Sequence, residues 1–188
     1  FRITEDMPWI GALFNSVTAR TAGFSTYSLG EFSNAGLLAM IFLMFVGASP
    51  GSTGGGIKTS TLFALIQGIK TAATNTSGKA FHYSVPHGVF RKASVIAVMG
   101  ISVIAVGTFM LCAFEPDIAI RDALFEMTSA FGTVGLTTGI TTGLCTASKL
   151  TSIVMMYIGR LGPLTIATLW YFTNGDRIKY PDGNIAIG

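Results

Sequence analysis

The chain has 188 residues, 50% of them hydrophobic and 11% charged, at a mean hydropathy of +0.60, whereas a soluble globular chain carries roughly 25% charged residues. Its formal charge of +3 does not point to nucleic acid, because the basic residues are dispersed and no stripe joins them to aromatics. What remains is a membrane chain.

From the N-terminus, Glu5, Asp6 and Pro8 precede an amphipathic run, Trp9 to Val17, and acids followed by proline suit a helix start at a polar boundary. The run is too short to span a bilayer, so it is expected to dip in and return. Non-helical backbone at that depth is tolerated only where it is buried in protein or lines a wet cavity. The loop around Gly23 supplies that backbone. A strand over Phe24 to Leu29 is the alternative, and its Ser/Thr-rich pattern lacks sustained alternation. No signal peptide is evident, and a chain opening on Phe1 is expected to be a piece whose start is missing.

From Asn34 the sequence turns apolar, and Leu37 to Val46 reads as the first half of a spanning helix. The stretch Gly47-Ala48-Ser49-Pro50-Gly51-Ser52-Thr53-Gly54-Gly55-Gly56-Ile57-Lys58 breaks it, since Pro costs about 3 kcal/mol in a helix interior and each Gly up to about 1. Thr59 to Ile69 resumes the helix. Two helical halves flanking a flexible loop near bilayer depth is an arrangement that transporters use to bind or gate ions. A nucleotide-binding P-loop competes, but G-x-x-x-x-G-K-[ST] needs Lys directly after the last Gly, and Ile57 intervenes between Gly56 and Lys58.

Lys70 to Lys92 is the long polar connection. It carries Lys70, Lys79, His82, His87, Arg91 and Lys92 without an acid, which makes it cytoplasmic. Ala93 to Phe114 is an uncharged run longer than the roughly 20 residues needed to cross a bilayer core. Glu115-Pro116-Asp117 then opens a second short helix, Ile118 to Ala130, which dips to a loop around Gly135. Leu150 to Phe172 reads as another spanning helix with Arg160 inside it, followed by a cytoplasmic tail. Glu5, Asp6, Glu31, Glu115, Asp117, Asp122 and Glu126 fall on the outer side of this topology. They either form a vestibule that concentrates cations or simply collect where basic residues do not. Cys112 and Cys145 lack metal or redox spacing and are expected to be free thiols.

The two short helices and their loops are copies. Ala12-Leu13-Phe14 leads to Thr18-Ala19-Arg20-Thr21-Ala22-Gly23-Phe24-Ser25-Thr26, and Ala123-Leu124-Phe125 leads to Ser129-Ala130-Phe131-Gly132-Thr133-Val134-Gly135-Leu136-Thr137-Thr138, with one extra residue before the second glycine. The expected fold is an all-α membrane protein with two helix–pore loop–helix repeats of the kind potassium channels use. Residues 1–74 hold the first repeat without its leading helix, 75–92 the cytoplasmic loop, 93–172 the second repeat and 173–188 the tail.

A Thr-x-Gly loop in apolar surroundings can aim backbone carbonyls at one axis and replace an alkali cation's hydration shell. The candidate filter residues are Thr21, Ala22, Gly23, Phe24, Gly132, Thr133, Val134 and Gly135. Each dipping helix would turn the negative end of its dipole toward the ion, with Gly23 and Gly135 at positive φ and Phe24 and Leu136 packed behind. A pair of ordinary Gly/Thr turns is the alternative for either loop alone.

The candidate gate is Gly51, Ser52, Thr53, Gly54, Gly55, Gly56, Lys58 and Arg160. Arg at a bilayer centre costs about 2.5 to 3.5 kcal/mol on insertion scales and usually faces a cavity. Gly159-Arg160-Leu161-Gly162-Pro163 is the repeat counterpart of Gly47-Ala48-Ser49-Pro50-Gly51. Arg160 either opposes a cation in the pathway or donates to carbonyls freed by the broken helix, and Lys58 is expected to snorkel toward the inner surface. No general base or nucleophile constellation is found, His82 and His87 lying away from both loops, so an enzyme is not expected. A secondary transporter of an organic solute, with the broken helix as its site, stays open.

These motifs together resemble the Trk/Ktr/HKT cation transporter family, most closely its Ktr-type potassium-transporting membrane subunits, over nearly the whole chain. The resemblance rests on Thr21-Ala22-Gly23-Phe24-Ser25, Gly51-Ser52-Thr53-Gly54-Gly55-Gly56-Ile57-Lys58, Gly132-Thr133-Val134-Gly135-Leu136 and Gly159-Arg160-Leu161-Gly162-Pro163-Leu164. It implies one pore built from four repeats, of which these are the third and fourth, the first two lying in a missing N-terminal half. It also implies potassium uptake at the filter residues, with sodium as a coupling ion or as the preferred ion of a related member. Further implications are a homodimer in the plasma membrane, contact with membrane lipids, a cytoplasmic nucleotide-binding regulatory ring, no organic cofactor in this chain and no nucleic acid.

Overall fold

The computed structural model describes residues 8–74, 79–80, 83–84, 87–162 and 165. Glu5, Asp6, His82, Pro163, Leu164 and the tail, including Asp176, Arg177, Lys179 and Asp182, lie outside the described residues. Within them the protein is helical apart from one short hairpin.

Helix α1, Trp9–Thr18, starts directly after Pro8, whose extended backbone occupies the N-cap. The strand alternative for Phe24 to Leu29 is not adopted: irregular backbone leads to a 3-10 turn, Leu29–Glu31. Helix α2, Asn34–Phe45, begins three residues earlier than Leu37 because the Ser33 side chain accepts from the Gly36 amide and caps it. Helix α3, Thr59–Thr74, runs past Ile69 and takes Lys70 with it. The connection is correspondingly shorter than 70–92. It contains the antiparallel strands β1, Lys79–Ala80, and β2, Tyr83–Ser84, and ends where α4, His87–Phe114, begins. Arg91 and Lys92 therefore ride on the first turns of α4.

At 28 residues and about 1.5 Å of rise each, α4 is longer than a bilayer core is thick. Its Gly88–Phe114 stretch, whose most apolar 18-residue window has a mean hydropathy of 2.5, is the one helix among the described residues long and apolar enough to cross a membrane. Helix α5 occupies Ile120–Gly132 and α6 Thr146–Leu161. Helix α6 starts four residues before Leu150 and ends at Leu161, ahead of Gly162, whose φ of +85° leaves the right-handed helical region; beyond Gly162 the expected span lies, Thr165 apart, outside the described residues.

Helix α5 is the hub, packing on α2, α4 and α6. Nine of its 13 residues are buried, and two apolar clusters meet on it. Phe125 joins Leu37, Met40 and Met44 of α2 with Val134 and Leu136 of the following loop. Ala123, Met127 and Phe131 join Ile104 and Leu111 of α4 with Met155 of α6. Its repeat counterpart α1 buries only Gly11, Asn15 and Thr18, and Trp9 is 91% exposed with Ile10, Leu13 and Val17 beside it on a bare face.

Candidate functional site

Both Thr-x-Gly loops adopt the same unusual backbone. Thr21 (φ 75°) and Gly23 (φ 79°) are left-handed in the first, Thr133 (φ 53°) and Gly135 (φ 92°) in the second. Positive φ was expected at the glycines; at the threonines it was not. A β-branched residue in that region is a genuine outlier, costing of order 1–3 kcal/mol, and such strain clusters at functional sites. The first loop is held by Thr18, a buried residue absent from the candidate list, whose hydroxyl accepts from the Phe24 amide at 3.0 Å and donates to the Phe24 carbonyl at 2.5 Å. The second folds back on α5 through Thr133 N to Ala130 O and Val134 N to Ser129 O, both 3.0 Å.

The loops abut one another. A Cβ on Gly23 would collide with the Val134 carbonyl, whereas one on Gly135 would meet nothing within 4 Å. Leu136 is buried behind its loop as expected. Phe24 is not: it is 73% exposed, because no described residue covers it.

The broken helix is closed at its base by a parallel bridge, Val46 to Ile57, with Ile57 N donating to Phe45 O at 3.0 Å and Gly47 N to Ile57 O at 2.8 Å. The loop between reaches the threonines of both Thr-x-Gly copies. A Cβ on Gly54 would lie 2.9 Å from Thr21 Cγ2, and one on Gly55 2.8 Å from Thr133 Cγ2. The Gly55 amide donates to Thr133 Oγ1 at 2.8 Å. Two consecutive glycines thus sit against equivalent threonines of the two copies.

Lys58 does not snorkel away. Its ammonium turns back onto the loop, donating to Gly54 O at 2.5 Å and Ser52 O at 3.4 Å, and so satisfies carbonyls that the helix break freed. Arg160 does not share this task. It is exposed and makes no hydrogen bond or ion pair among the described residues. Its neighbour Gly159 packs on the carbonyl of Phe131, the same oxygen that Gly55 approaches, so Arg160 stands one residue from the junction of α5, α6 and the loop. Gly51, Ser52 and Thr53 lie at the loop's exposed end.

Among the described residues, the acids expected on the outer side stand in different surroundings. Glu126 is buried, 8% exposed, with Oε1 accepting from Thr141 Oγ1 at 2.6 Å. Glu115 accepts from the Cys145 amide at 2.6 Å and Ser148 Oγ at 3.4 Å at the start of α6. That backbone hydrogen bond, helped by Cys145 and Ser148 side chains and by Lys149, holds the Glu115 carboxyl below its usual range against a smaller upward push from desolvation. Glu31 and Asp117 are exposed. Cys112 and Cys145 are free thiols.

Residues 4–177 match the family described as TrkH, cation transport protein, and the chain belongs to it. Among its relatives are the Ktr system potassium uptake protein B of Bacillus subtilis, 35% identical over 97% of this chain and 41% of the relative, and that of Vibrio alginolyticus, 37% identical over 99% and 41%. The potassium/sodium uptake protein NtpJ of Enterococcus hirae is 37% identical over 93% and 40%. The chain therefore spans about two fifths of the length of these relatives. The crystal structure of the potassium transporter TrkH from Vibrio parahaemolyticus shares its fold, with a TM-score of 0.70 at 23% identity over 86% of this chain and 37% of that one. All four are named for uptake or transport of potassium or of potassium and sodium.

Proposed function

We propose that this chain forms two quarters of a potassium pathway. Thr21–Phe24 and Gly132–Gly135 act as segments of a carbonyl filter, and Gly51–Gly56, Lys58 and Arg160 act as its gate. The observation that carries the reading is the shared left-handed Thr-x-Gly backbone of two loops that touch each other and seat one Gly-rich loop. Left-handed residues alternating with residues of opposite hand turn successive carbonyls toward one side, as a desolvated cation requires. Helix α5 ends at this point, bringing the negative end of its dipole there. Arg160, free of carbonyl partners among the described residues, is left as an electrostatic barrier.

The bare face of α1 supports the division into a third-type repeat without its first helix and a complete fourth-type one. Leu124, the counterpart of Leu13, lies in a cleft that α4 helps to wall, and no described helix does the same for α1. Two further repeats from a longer chain would complete the ring, as a multi-pass protein of the plasma membrane. The homodimer and the cytoplasmic nucleotide-binding ring belong to the same proposal and rest on the family resemblance. Potassium is the favoured ion because two of the relatives are named for its uptake; the potassium/sodium relative keeps a sodium-selective variant as the second reading.

The test is Gly23→Ser and Gly135→Ser in the complete transporter. Gly23→Ser is expected to weaken potassium uptake affinity and narrow discrimination against sodium the more severely, because its Cβ meets the Val134 backbone while Gly135 faces open space. Wild-type affinity and a wild-type potassium-to-sodium ratio in both variants would refute the filter assignment.

A further inference from the structure

Aligning the copies on Ala-Leu-Phe places Asn15 opposite Glu126: Ala12-Leu13-Phe14-Asn15 against Ala123-Leu124-Phe125-Glu126. Both side chains are buried, at 0% and 8% exposure, on the short helix that leads into a Thr-x-Gly loop. Each leaves a buried oxygen without a hydrogen-bond partner among the described residues, Oδ1 of Asn15 and Oε2 of Glu126. An unsatisfied buried acceptor is costly and calls for a reason.

The two differ in what they hold. Asn15 donates from Nδ2 to Gly11 O of its own helix at 3.0 Å. Glu126 instead reaches the loop: Thr141 Oγ1 lies 2.6 Å from Glu126 Oε1 and 2.7 Å from Thr137 Oγ1, and the Gly139 amide donates to Thr137 Oγ1 at 3.0 Å. Thr141 has one hydroxyl proton for two neighbours. With Glu126 Oε1 accepting that proton, Thr141 must accept from Thr137. The chain then runs one way, from Gly139 N–H to Thr137, Thr141 and Glu126, and each link polarises the next. Thr137 is two residues beyond Gly135, so the chain grips the outgoing end of the loop. The counterpart of Thr141 in the first copy is Leu29, a buried apolar residue, so that copy has no such chain.

We propose that Glu126 is a positioning residue for ion discrimination: a buried acceptor that sets the direction of the Thr137–Thr141 hydroxyl chain and thereby fixes the outgoing end of the fourth-type loop. This rests on the filter reading above and adds a residue that touches no ion.

The experiment is the ratio of potassium to sodium uptake by the complete transporter in proteoliposomes for E126A, E126Q, T141V and the E126A/T141V double variant, with Gly23→Ser as reference. E126A and T141V are each expected to lower the ratio about fivefold, the factor that one net hydrogen bond carries. The double variant should fall no further than the lower single, because both cut one chain. E126Q should stay within about twofold of wild type, since its amide oxygen still accepts from Thr141. General destabilisation would instead reduce both fluxes together and leave the ratio. Should E126A fail to assemble, T141V, which alters an exposed residue, decides by the same ratio. Unchanged ratios in E126A and T141V, an additive double variant, or E126Q falling as far as E126A would each overturn the proposal. If Gly23→Ser shifts the ratio in that experiment, the filter reading survives; if it too leaves the ratio unchanged, the filter reading has failed instead.

Discussion

Gly55→Ala puts the proposed gate under direct strain. The added Cβ would lie 2.8 Å from both Cγ2 and Oγ1 of Thr133 and 2.9 Å from the Phe131 carbonyl, well inside the 3.5–4.0 Å that carbon atoms prefer. Neither neighbour can give way cheaply. The carbonyl belongs to the buried end of α5, and Thr133 is already left-handed and accepts from the Gly55 amide. The loop must therefore leave its seat. Overpacking costs about 1–3 kcal/mol; at 1.4 kcal/mol per tenfold, the seating equilibrium shifts about 5- to 140-fold toward release. The assay is initial-rate rubidium uptake at matched protein in proteoliposomes, with the potassium-to-sodium ratio measured alongside. Flux should rise, up to the limit set by the fraction of time the wild-type loop is seated, and the ratio should hold. Unchanged or lower flux in a well-folded variant, or a ratio that moves as much as the flux, would refute the loop's role as the gate.

Arg160→Ala should also raise uptake at constant selectivity. A unit charge about 4 Å from an ion costs roughly 4 kcal/mol at an effective dielectric of 20, which sets an upper bound that solvent reduces, and unchanged uptake would contradict the electrostatic barrier. Glu115, held below its usual range by the Cys145 amide, stabilises the fold above the ordinary carboxylate value and loses that contribution as pH falls through its lowered value. Thermal stability in detergent should therefore fall on acidification over that window, and Glu115→Gln should flatten the dependence. The 188-residue segment reconstituted by itself should show no selective cation flux, because two loops enclose half a ring; robust potassium flux would exclude the four-repeat arrangement.

The helices and the break between α2 and α3 were legible because apolar length and Pro/Gly clusters act locally. The left-handed glycines were legible for the same reason. Thr21 and Thr133 were not, since a β-branched side chain disfavours positive φ and only tertiary contacts hold it there. Glu126 was placed on the outer side by topology, which says nothing of burial, although the Ala-Leu-Phe repeat set it opposite another polar residue, Asn15. Lys58 and Arg160 traded structural roles: nothing in the sequence distinguishes a lysine that folds back on its own loop from one that reaches for the membrane surface. The end of α6 before Gly162 was legible through the repeat, since Gly159 to Pro163 answer the Gly/Pro cluster that breaks the helix after α2.

The bridge between Val46 and Ile57 has an evolutionary consequence. Because the two helix halves are stapled to each other at the loop's base, the exposed end of the loop, Gly51 to Thr53, can lengthen or shorten without disturbing helix register. Closure entropy grows only logarithmically, about 0.6 kcal/mol for each doubling of length. If the loop gates as proposed, insertions and deletions at this point are a cheap source of heritable variation in that gating.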